Sequence, residues 1–172
     1  SRDATDQWRH HPDNSSTDAW RDLIVSMHIA IETAERYNVN LGIEPELANV
    51  VSGSEQAKRL IDECNSPRLK IILDAANLFE SEHLNEQRRI ISTAVDLLGP
   101  HIIMAHAKDR KADGKFVAAG TGVMDYAHFL RALKNAGFNG PIVTHGLSAA
   151  DAPAVSLFLR QQMSAADIKI DT

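Results

Sequence analysis

The stretch LGIEPE, residues 41–46, places an acid directly at the end of a short apolar run. Leu41–Ile43 is typical of a buried β-strand, and Glu44 follows it at once. Removing a carboxylate from water costs several kcal/mol unless the charge is paired or bound to a metal. The stretch therefore predicts a strand whose terminal acid has a partner.

Three further apolar runs repeat this pattern along the chain. They are short and rich in Ile, Val or Leu, as expected of strands that are covered on both faces: Ile71–Leu73, Ile102–Ala105 and Ile142–Val143. Apolar residues at helical spacing precede the first run and follow each of the four runs. Strands that alternate with helices predict right-handed βαβ units and a parallel sheet. We therefore expect an α/β fold of about four strands and five helices.

Helix caps and one polar segment complete the predicted outline. Ser16 or Thr17 is predicted as the N-cap of the first helix, and Ser54 and Asp125 as N-caps of later helices. Residues 109–121, DRKADGKFVAAGT, form the longest polar stretch and are predicted to be a loop after the third strand.

Each predicted strand ends in a residue that can bind a metal: Glu44, Asp74, His106 and His145. The carboxyl ends of parallel strands share one face of a sheet or barrel, where ligands and active sites collect. Any one of these residues alone is also compatible with a loop, a helix cap or a structural histidine. Their repetition at every strand predicts a shared divalent metal site. The mixed oxygen and nitrogen donors favour Mn²⁺, Fe²⁺, Co²⁺ or Zn²⁺, with Mg²⁺ left open.

The strand ends lie within five longer stretches that follow one another along the chain: GIEPE, LDAANLF, MAHAKD, GTGVMDYAHFLRALKNAGFNGPIV and THGLS. Together, over residues 41–159, they resemble the carboxyl-terminal part of the xylose isomerase-like TIM-barrel superfamily. That group includes sugar-phosphate isomerases and epimerases, ketose epimerases, inosose dehydratases and endonuclease IV-type DNA-repair enzymes. The resemblance implies a single domain over residues 1–172 that forms strands five to eight of a (β/α)8 barrel, with the amino-terminal half absent.

The resemblance also implies roles for the strand-end residues. Glu44, Asp74 and His106 would be metal ligands. The superfamily usually ends its last strand in a glutamate that is both ligand and catalytic acid/base, and this chain has His145 there. Imidazole can also bind a metal or carry a proton near neutral pH, so His145 is predicted as a fourth ligand and, with Glu44, as a catalytic residue. A histidine is also common in the superfamily where this chain has Asn77.

Three further polar residues are predicted to contact substrate: Asn77, Lys108 and Glu46. Lys108 could hold a substrate oxygen or phosphate, and a plain surface lysine is the equally weighted alternative. Glu46 lies two residues after Glu44 and points the same way if the chain stays extended past Pro45, but an exposed loop acid is the favoured interpretation.

The resemblance implies a metal-dependent sugar or sugar-phosphate isomerase or epimerase. The side chains would move a proton next to a carbonyl that the metal polarises. A lyase of the inosose dehydratase kind is the second reading. A non-catalytic small-molecule-binding or structural half-domain is the third, because His145 and Asn77 depart from the superfamily pattern.

Composition narrows the setting and the partners. The 172 residues carry a net charge of −5 with no basic stripe, which argues against nucleic acid as a partner. The resemblance implies a small-molecule sugar or sugar phosphate as the ligand. One cysteine excludes an internal disulfide and fits a cytoplasmic protein, and no apolar run approaches the length of a membrane span. A half barrel exposes two sheet edges, so we expect it to pair with a second copy or with the missing half.

Overall fold

Helices and parallel strands alternate along residues 17–165, as the apolar pattern predicts. A computed structural model describes residues 1–168. The helices are α1 Thr17–Tyr37, α2 Ser54–Cys64, α3 Leu84–Leu98, α4 Tyr126–Asn135 and α5 Ala152–Ala165. The strands are β1 Leu41–Ile43, β2 Leu69–Asp74, β3 Ile102–Arg110, β4 Phe116–Ala118 and β5 Ile142–Thr144. Residues 169–172 of the predicted domain lie outside the described residues.

Four strands form a parallel sheet in chain order, β1–β2–β3–β5. Asp74 lies opposite His106 in the β2–β3 ladder, and His106 lies opposite Val143 of β5. Helices α2, α3 and α4 connect successive parallel strands, as such crossovers require. Because the strands run the same way, their carboxyl ends meet at one rim of the sheet.

The core lies between one face of this sheet and the helices. Leu69, Ile71 and Leu73 alternate along β2 and are each at most 1% exposed. Phe79 and Phe129 complete the packing and are fully buried. Each such side chain stabilises the fold by about 1.5–3 kcal/mol. The alternate residues of β2 point to the other face, and Asp74 ends that second series, so the strand periodicity itself sets Asp74 on the face away from the main core.

The helix starts agree with two of the three predicted caps. The Ser16 side chain accepts a hydrogen bond from the Ala19 N–H, and Asp125 accepts one from the His128 N–H. The assignment of Ser54 was wrong, because α2 begins at Ser54 itself, after an extended Gly53 that makes no side-chain cap bond. Glycine is itself an accepted N-cap residue. Within residues 1–168, no helix has the length and apolar character to cross a bilayer.

The segment 109–121 is not the single polar loop that its composition predicts. Strand β3 continues through Arg110, and β4 returns antiparallel beside it with Phe116 opposite Arg110. Asp109 is only 1% exposed. Its carboxylate accepts hydrogen bonds from four backbone N–H groups, those of Arg110, Gly120, Gly122 and Met124. The prediction failed because polarity was taken to mean exposure, whereas this charge is buried among backbone donors.

Candidate metal centre

The four strand-end residues converge at the carboxyl rim of the parallel sheet. Glu44 follows β1, Asp74 ends β2, His106 lies within β3, and His145 follows β5. We call these four residues the strand-end cluster. Each contributes one potential ligand atom, and these atoms all lie within 4.8 Å of one another. The convergence expected from parallel strand direction is therefore present in the structure.

Asp74 is the most deeply buried member of the strand-end cluster, with a side chain that is 0% exposed. Its Oδ1 accepts the Ala76 N–H at 3.0 Å. Its Oδ2 lies 3.3 Å from His145 Nε2 and 3.2 Å from Lys108 Nζ. Burial acts to raise the pKa of Asp74, but the His145 hydrogen bond and the Lys108 ammonium outweigh it and hold the pKa below its usual range. Asp74 is therefore ionised at neutral pH and able to act as a ligand.

Glu44 and the two imidazoles form the more open side of the cluster. Glu44 Oε1 accepts the Asn77 Nδ2–H at 2.9 Å and lies 3.1 Å from His106 Nδ1. The His106 and His145 rings pack edge to face with centroids 4.5 Å apart. The hydrogen bond to Asp74 raises the pKa of His145, and burial partly opposes this rise. The Glu44 and His145 side chains are 30% and 40% exposed, so solutes can reach both.

Lys108 belongs to this site, and the surface-lysine alternative was wrong. Its side chain is 11% exposed, and Nζ donates to Asn77 Oδ1 at 2.7 Å in addition to its contact with Asp74. The Tyr126 hydroxyl donates to the Lys108 carbonyl at 2.8 Å and holds the backbone in place. Lys108 was ambiguous in the sequence because the end of β3 could not be located there.

Glu46 is partly buried rather than an exposed loop acid. Burial raises its pKa, while the Ala48 N–H and the positive charges of Lys108 and Arg110 act in the opposite direction. Its carboxyl group therefore belongs to the electrostatic surroundings of the site. A substrate contact by Glu46 stays a prediction.

Sequence reasoning missed Arg110 and Phe116. Arg110 is 6% exposed, and its Nε donates to the Ala76 carbonyl at 2.6 Å, which ties β3 to the turn after β2. The Phe116 ring centroid lies 3.8 Å from the Arg110 guanidinium carbon and 3.9 Å from Lys108 Nζ. A signal for this was present, because His106, Lys108 and Arg110 occupy alternate positions and share one face if the strand continues.

The residues present fit a divalent transition-metal ion. Ligand bonds of about 2.0–2.2 Å put neighbouring donor atoms roughly 3.5 Å apart in a tetrahedral site, a modest contraction of the present spacing. Two carboxylates and two imidazoles are a donor set that such ions accept. Hydrogen bonds from the Ala76 N–H and the Asn77 amide orient the carboxylates of Asp74 and Glu44, respectively. Supporting bonds of this kind are usual around protein-bound metals.

Comparison with known proteins places this arrangement in a family. The sequence profile of the xylose isomerase-like TIM barrel matches residues 5–161. The chain belongs to this family. In a xylose isomerase-like barrel, the rim formed by the carboxyl ends of the strands is where active sites lie. The position of the strand-end cluster agrees with that rule.

Relatives agree with the assignment to the xylose isomerase-like family. A ketose 3-epimerase of Arthrobacter globiformis is 29% identical over 127 residues, which cover 73% of this chain and 37% of the epimerase. The structure of a xylose isomerase domain protein from Planctomyces limnophilus superposes with a TM-score of 0.72 and 21% identity, covering 91% of this chain and 56% of that one. The structure of a D-tagatose 3-epimerase-like protein superposes with a TM-score of 0.70 and 19% identity, covering 84% of this chain and 54% of that one. The chain thus spans about half the length of these two structures and about a third of the length of the curated relative. Its fold is part of a TIM barrel, as predicted.

Proposed function

We propose that this chain carries the metal-binding half of a sugar or sugar-phosphate epimerase or isomerase. The observation that carries the proposal is the strand-end cluster, with four potential ligand atoms within 4.8 Å of one another at the catalytic rim of the sheet. The similarity to a ketose 3-epimerase supports a sugar as the small-molecule substrate. The proposed ligands are Glu44, Asp74, His106 and His145, and Mn²⁺, Co²⁺, Zn²⁺ and Mg²⁺ are the ions to test.

A bound divalent ion would supply Lewis acidity that polarises a substrate carbonyl and stabilises negative charge on its oxygen. The chain itself provides one ammonium group for the same purpose. Lys108 has three N–H donors and directs two of them to Asn77 and Asp74; we propose that a substrate oxygen takes the third, beside the Phe116 ring. In the low-exposure setting of Lys108, such a bond is stronger than at an open surface.

Glu44 and His145 are the proposed proton carriers. They follow β1 and β5, the two outermost parallel strands of the described sheet, and we propose that they act on opposite faces of a bound substrate. One group would take the proton from the carbon next to the carbonyl, and the other would deliver a proton to the opposite face, which inverts that centre. Return of the proton to the neighbouring carbon would instead interconvert an aldose and a ketose.

Proton exchange at carbon tests this function. The chain, loaded in turn with each candidate ion, is incubated with ketoses and ketose phosphates in D2O and followed by NMR. We expect deuterium at the carbon next to the carbonyl, and at least a hundredfold slower exchange in Glu44→Gln. Glu63→Gln is the matched control, because Glu63 binds Trp20 and Arg59 on the outer helices. Absence of exchange with every ion, or undiminished exchange in Glu44→Gln, would overturn the proposal, and release of water with loss of a hydroxyl would identify a lyase instead.

We also propose that the amino-terminal half of such a barrel covers the open side of this sheet. Within residues 1–168, β1 pairs only with β2, and β5 pairs in the parallel sheet only with β3. Val25 and Ile29, one turn apart on α1, are 57% and 66% exposed. The relatives are about twice as long as the matched region, which supports a further set of βα units as the cover. A sedimentation mass of two chains would favour a second copy instead, and a single-chain mass with a sharp melt would show that no cover is needed.

A further inference from the structure

Lys108, Asn77 and Glu44 form a continuous chain of hydrogen bonds. Lys108 Nζ donates to Asn77 Oδ1 at 2.7 Å, and Asn77 Nδ2 donates to Glu44 Oε1 at 2.9 Å. An ammonium group can only donate, and an ionised carboxylate can only accept. The two ends therefore fix which way the Asn77 amide points, with its oxygen towards Lys108 and its nitrogen towards Glu44.

The segment that carries Asn77 is itself held from two sides. Asn77 ends the 3₁₀ turn Ala75–Asn77, whose backbone is bound by the Asp74 carboxylate at Ala76 N and by Arg110 at Ala76 O. Asn77 is buried, with only 3% of its surface exposed. Its position is thus set by the fold, whereas Glu44 follows a strand of three residues and is 30% exposed.

We infer that Asn77 is a positioning residue for Glu44 rather than a substrate contact. The inference rests on the proposed function, because it concerns Glu44 as ligand and base. Within residues 1–168, the other side-chain contact of Glu44 is His106, which is a proposed ligand itself. Asn77 is therefore the contact of Glu44 that remains when His106 turns to a cation. By holding Oε1, the amide restricts the rotamers of Glu44 and leaves Oε2, which accepts no hydrogen bond within residues 1–168, available to a cation.

An imidazole can fill the same role as the amide at position 77. A neutral imidazole has one donor and one acceptor nitrogen, so it can bridge an ammonium and a carboxylate as an amide does. The amide does not titrate, so the bridge from Lys108 to Glu44 keeps the same direction at every pH at which Glu44 is ionised. Histidine at position 77 is consequently the conservative replacement, and leucine is the replacement of similar size that removes both hydrogen bonds.

Metal titration of position 77 variants tests the inference. Co²⁺ and Mn²⁺ alone are titrated into the unmodified chain, Asn77→Leu and Asn77→His by calorimetry, and the visible absorption of bound Co²⁺ is recorded. We expect Asn77→Leu to bind about 10- to 100-fold more weakly with an altered Co²⁺ spectrum, and Asn77→His to recover affinity to within a few-fold. In the exchange assay, we expect Asn77→Leu to lower kcat more than it raises KM, because a substrate contact would chiefly raise KM.

Asn14→Leu is the matched control for loss of a buried amide. Asn14 is 5% exposed and also bridges two groups, the Arg2 N–H and the Ala48 carbonyl, but it contacts none of the strand-end cluster. We expect this variant to lose stability and keep metal affinity. If Asn77→Leu does not fold, Asn77→Ser replaces it, because the shorter side chain cannot span Lys108 and Glu44.

The two hypotheses fail in distinguishable ways. Wild-type affinity and spectrum in the folded Leu or Ser variant would overturn the positioning role and leave the proposed function standing. No binding of either ion to the unmodified chain would overturn the proposed function, and the positioning role with it. If Asn77→Leu raises KM and leaves kcat and metal affinity unchanged, Asn77 is a substrate contact and the positioning role is wrong.

Discussion

Asp74 and Asp109 are both 1% exposed acids near the carboxyl ends of neighbouring strands, yet they are held in different ways. Asp109 takes four hydrogen bonds from backbone N–H groups, which cannot leave without unfolding the loop. Asp74 takes one backbone bond and otherwise contacts Lys108 and His145, whose side chains can turn. A carboxylate that is held by backbone donors has fixed partners and serves the structure of the loop. A carboxylate that is held by side chains can give up these partners and bind a cation instead.

The matched substitutions Asp109→Asn and Asp74→Asn should give the largest contrast in stability. Asparagine at 109 turns an amide NH2 towards backbone donors and leaves buried N–H groups unpaired, which we expect to cost about 3 kcal/mol. Asparagine at 74 keeps the bond to Ala76 but removes the charge from Lys108 and His145, which can turn to other partners, so we expect it to cost about 1.5 kcal/mol. Urea unfolding followed by circular dichroism measures both. Equal losses in the two variants would contradict the distinction.

Alanine at two glycines sharpens the comparison at a smaller scale. A Cβ at Gly122 would overlap the Arg110 carbonyl and the Asp109 carboxylate, which are rigid, so we expect Gly122→Ala to cost about 2 kcal/mol. A Cβ at Gly42 would meet Ile72 Cδ1 at 2.7 Å, the end of a flexible side chain that can move aside. Gly42→Ala should therefore cost well under about 1 kcal/mol. Thermal melts in which Gly42→Ala loses as much as Gly122→Ala would show that the loop around Asp109 is not the more rigid region.

Asp125 is a third acid, with one backbone partner, the His128 N–H, and one side-chain partner, Arg88. We expect the smallest effect here because Arg88 is exposed to solvent. Burial acts to raise its pKa, but the His128 N–H and the Arg88 guanidinium outweigh this and hold the pKa below its usual range. The folded chain thus favours the carboxylate, so its contribution is complete above about pH 4 and is lost as the pH falls through the lowered pKa.

Asp125→Asn isolates the charge, because asparagine is an equally good N-cap. Arg88 is 44% exposed, so we expect a loss of only about 0.5 kcal/mol at pH 7, shrinking towards zero as the pH falls through the lowered pKa. Urea titrations at several pH values, while the chain remains folded, measure this difference. A loss that grows on acidification would mean that the sign is wrong.

The fold and the members of the site were predictable to different depths. Short apolar runs and their spacing predicted the four parallel strands, and strand direction predicted that Glu44, Asp74, His106 and His145 would meet. Neither needs tertiary detail, because the periodicity of two and the parallel direction place successive strand ends at one rim.

The hairpin after β3 could not be predicted in the same way. Residues 109–121 are polar, and whether a polar residue is buried depends on donors elsewhere in the chain, such as the N–H groups of residues 120–124 that surround Asp109. The same error hid the cluster of Lys108, Arg110 and Phe116. These residues come together only if β3 continues past His106. The orientation of Asn77 likewise depends on partners 31 and 33 residues away.

Stoichiometric Co²⁺ binding tests the central claim, that the strand-end cluster holds one cation, most directly. The unmodified chain, Asp74→Asn and Asp109→Asn are titrated with Co²⁺ and followed by visible absorption, below the melting temperature of all three. We predict one Co²⁺ per unmodified chain, at least a hundredfold weaker binding in Asp74→Asn, and unchanged binding in folded Asp109→Asn. Binding that survives in Asp74→Asn with the same spectrum, or no binding to the unmodified chain, would contradict the account.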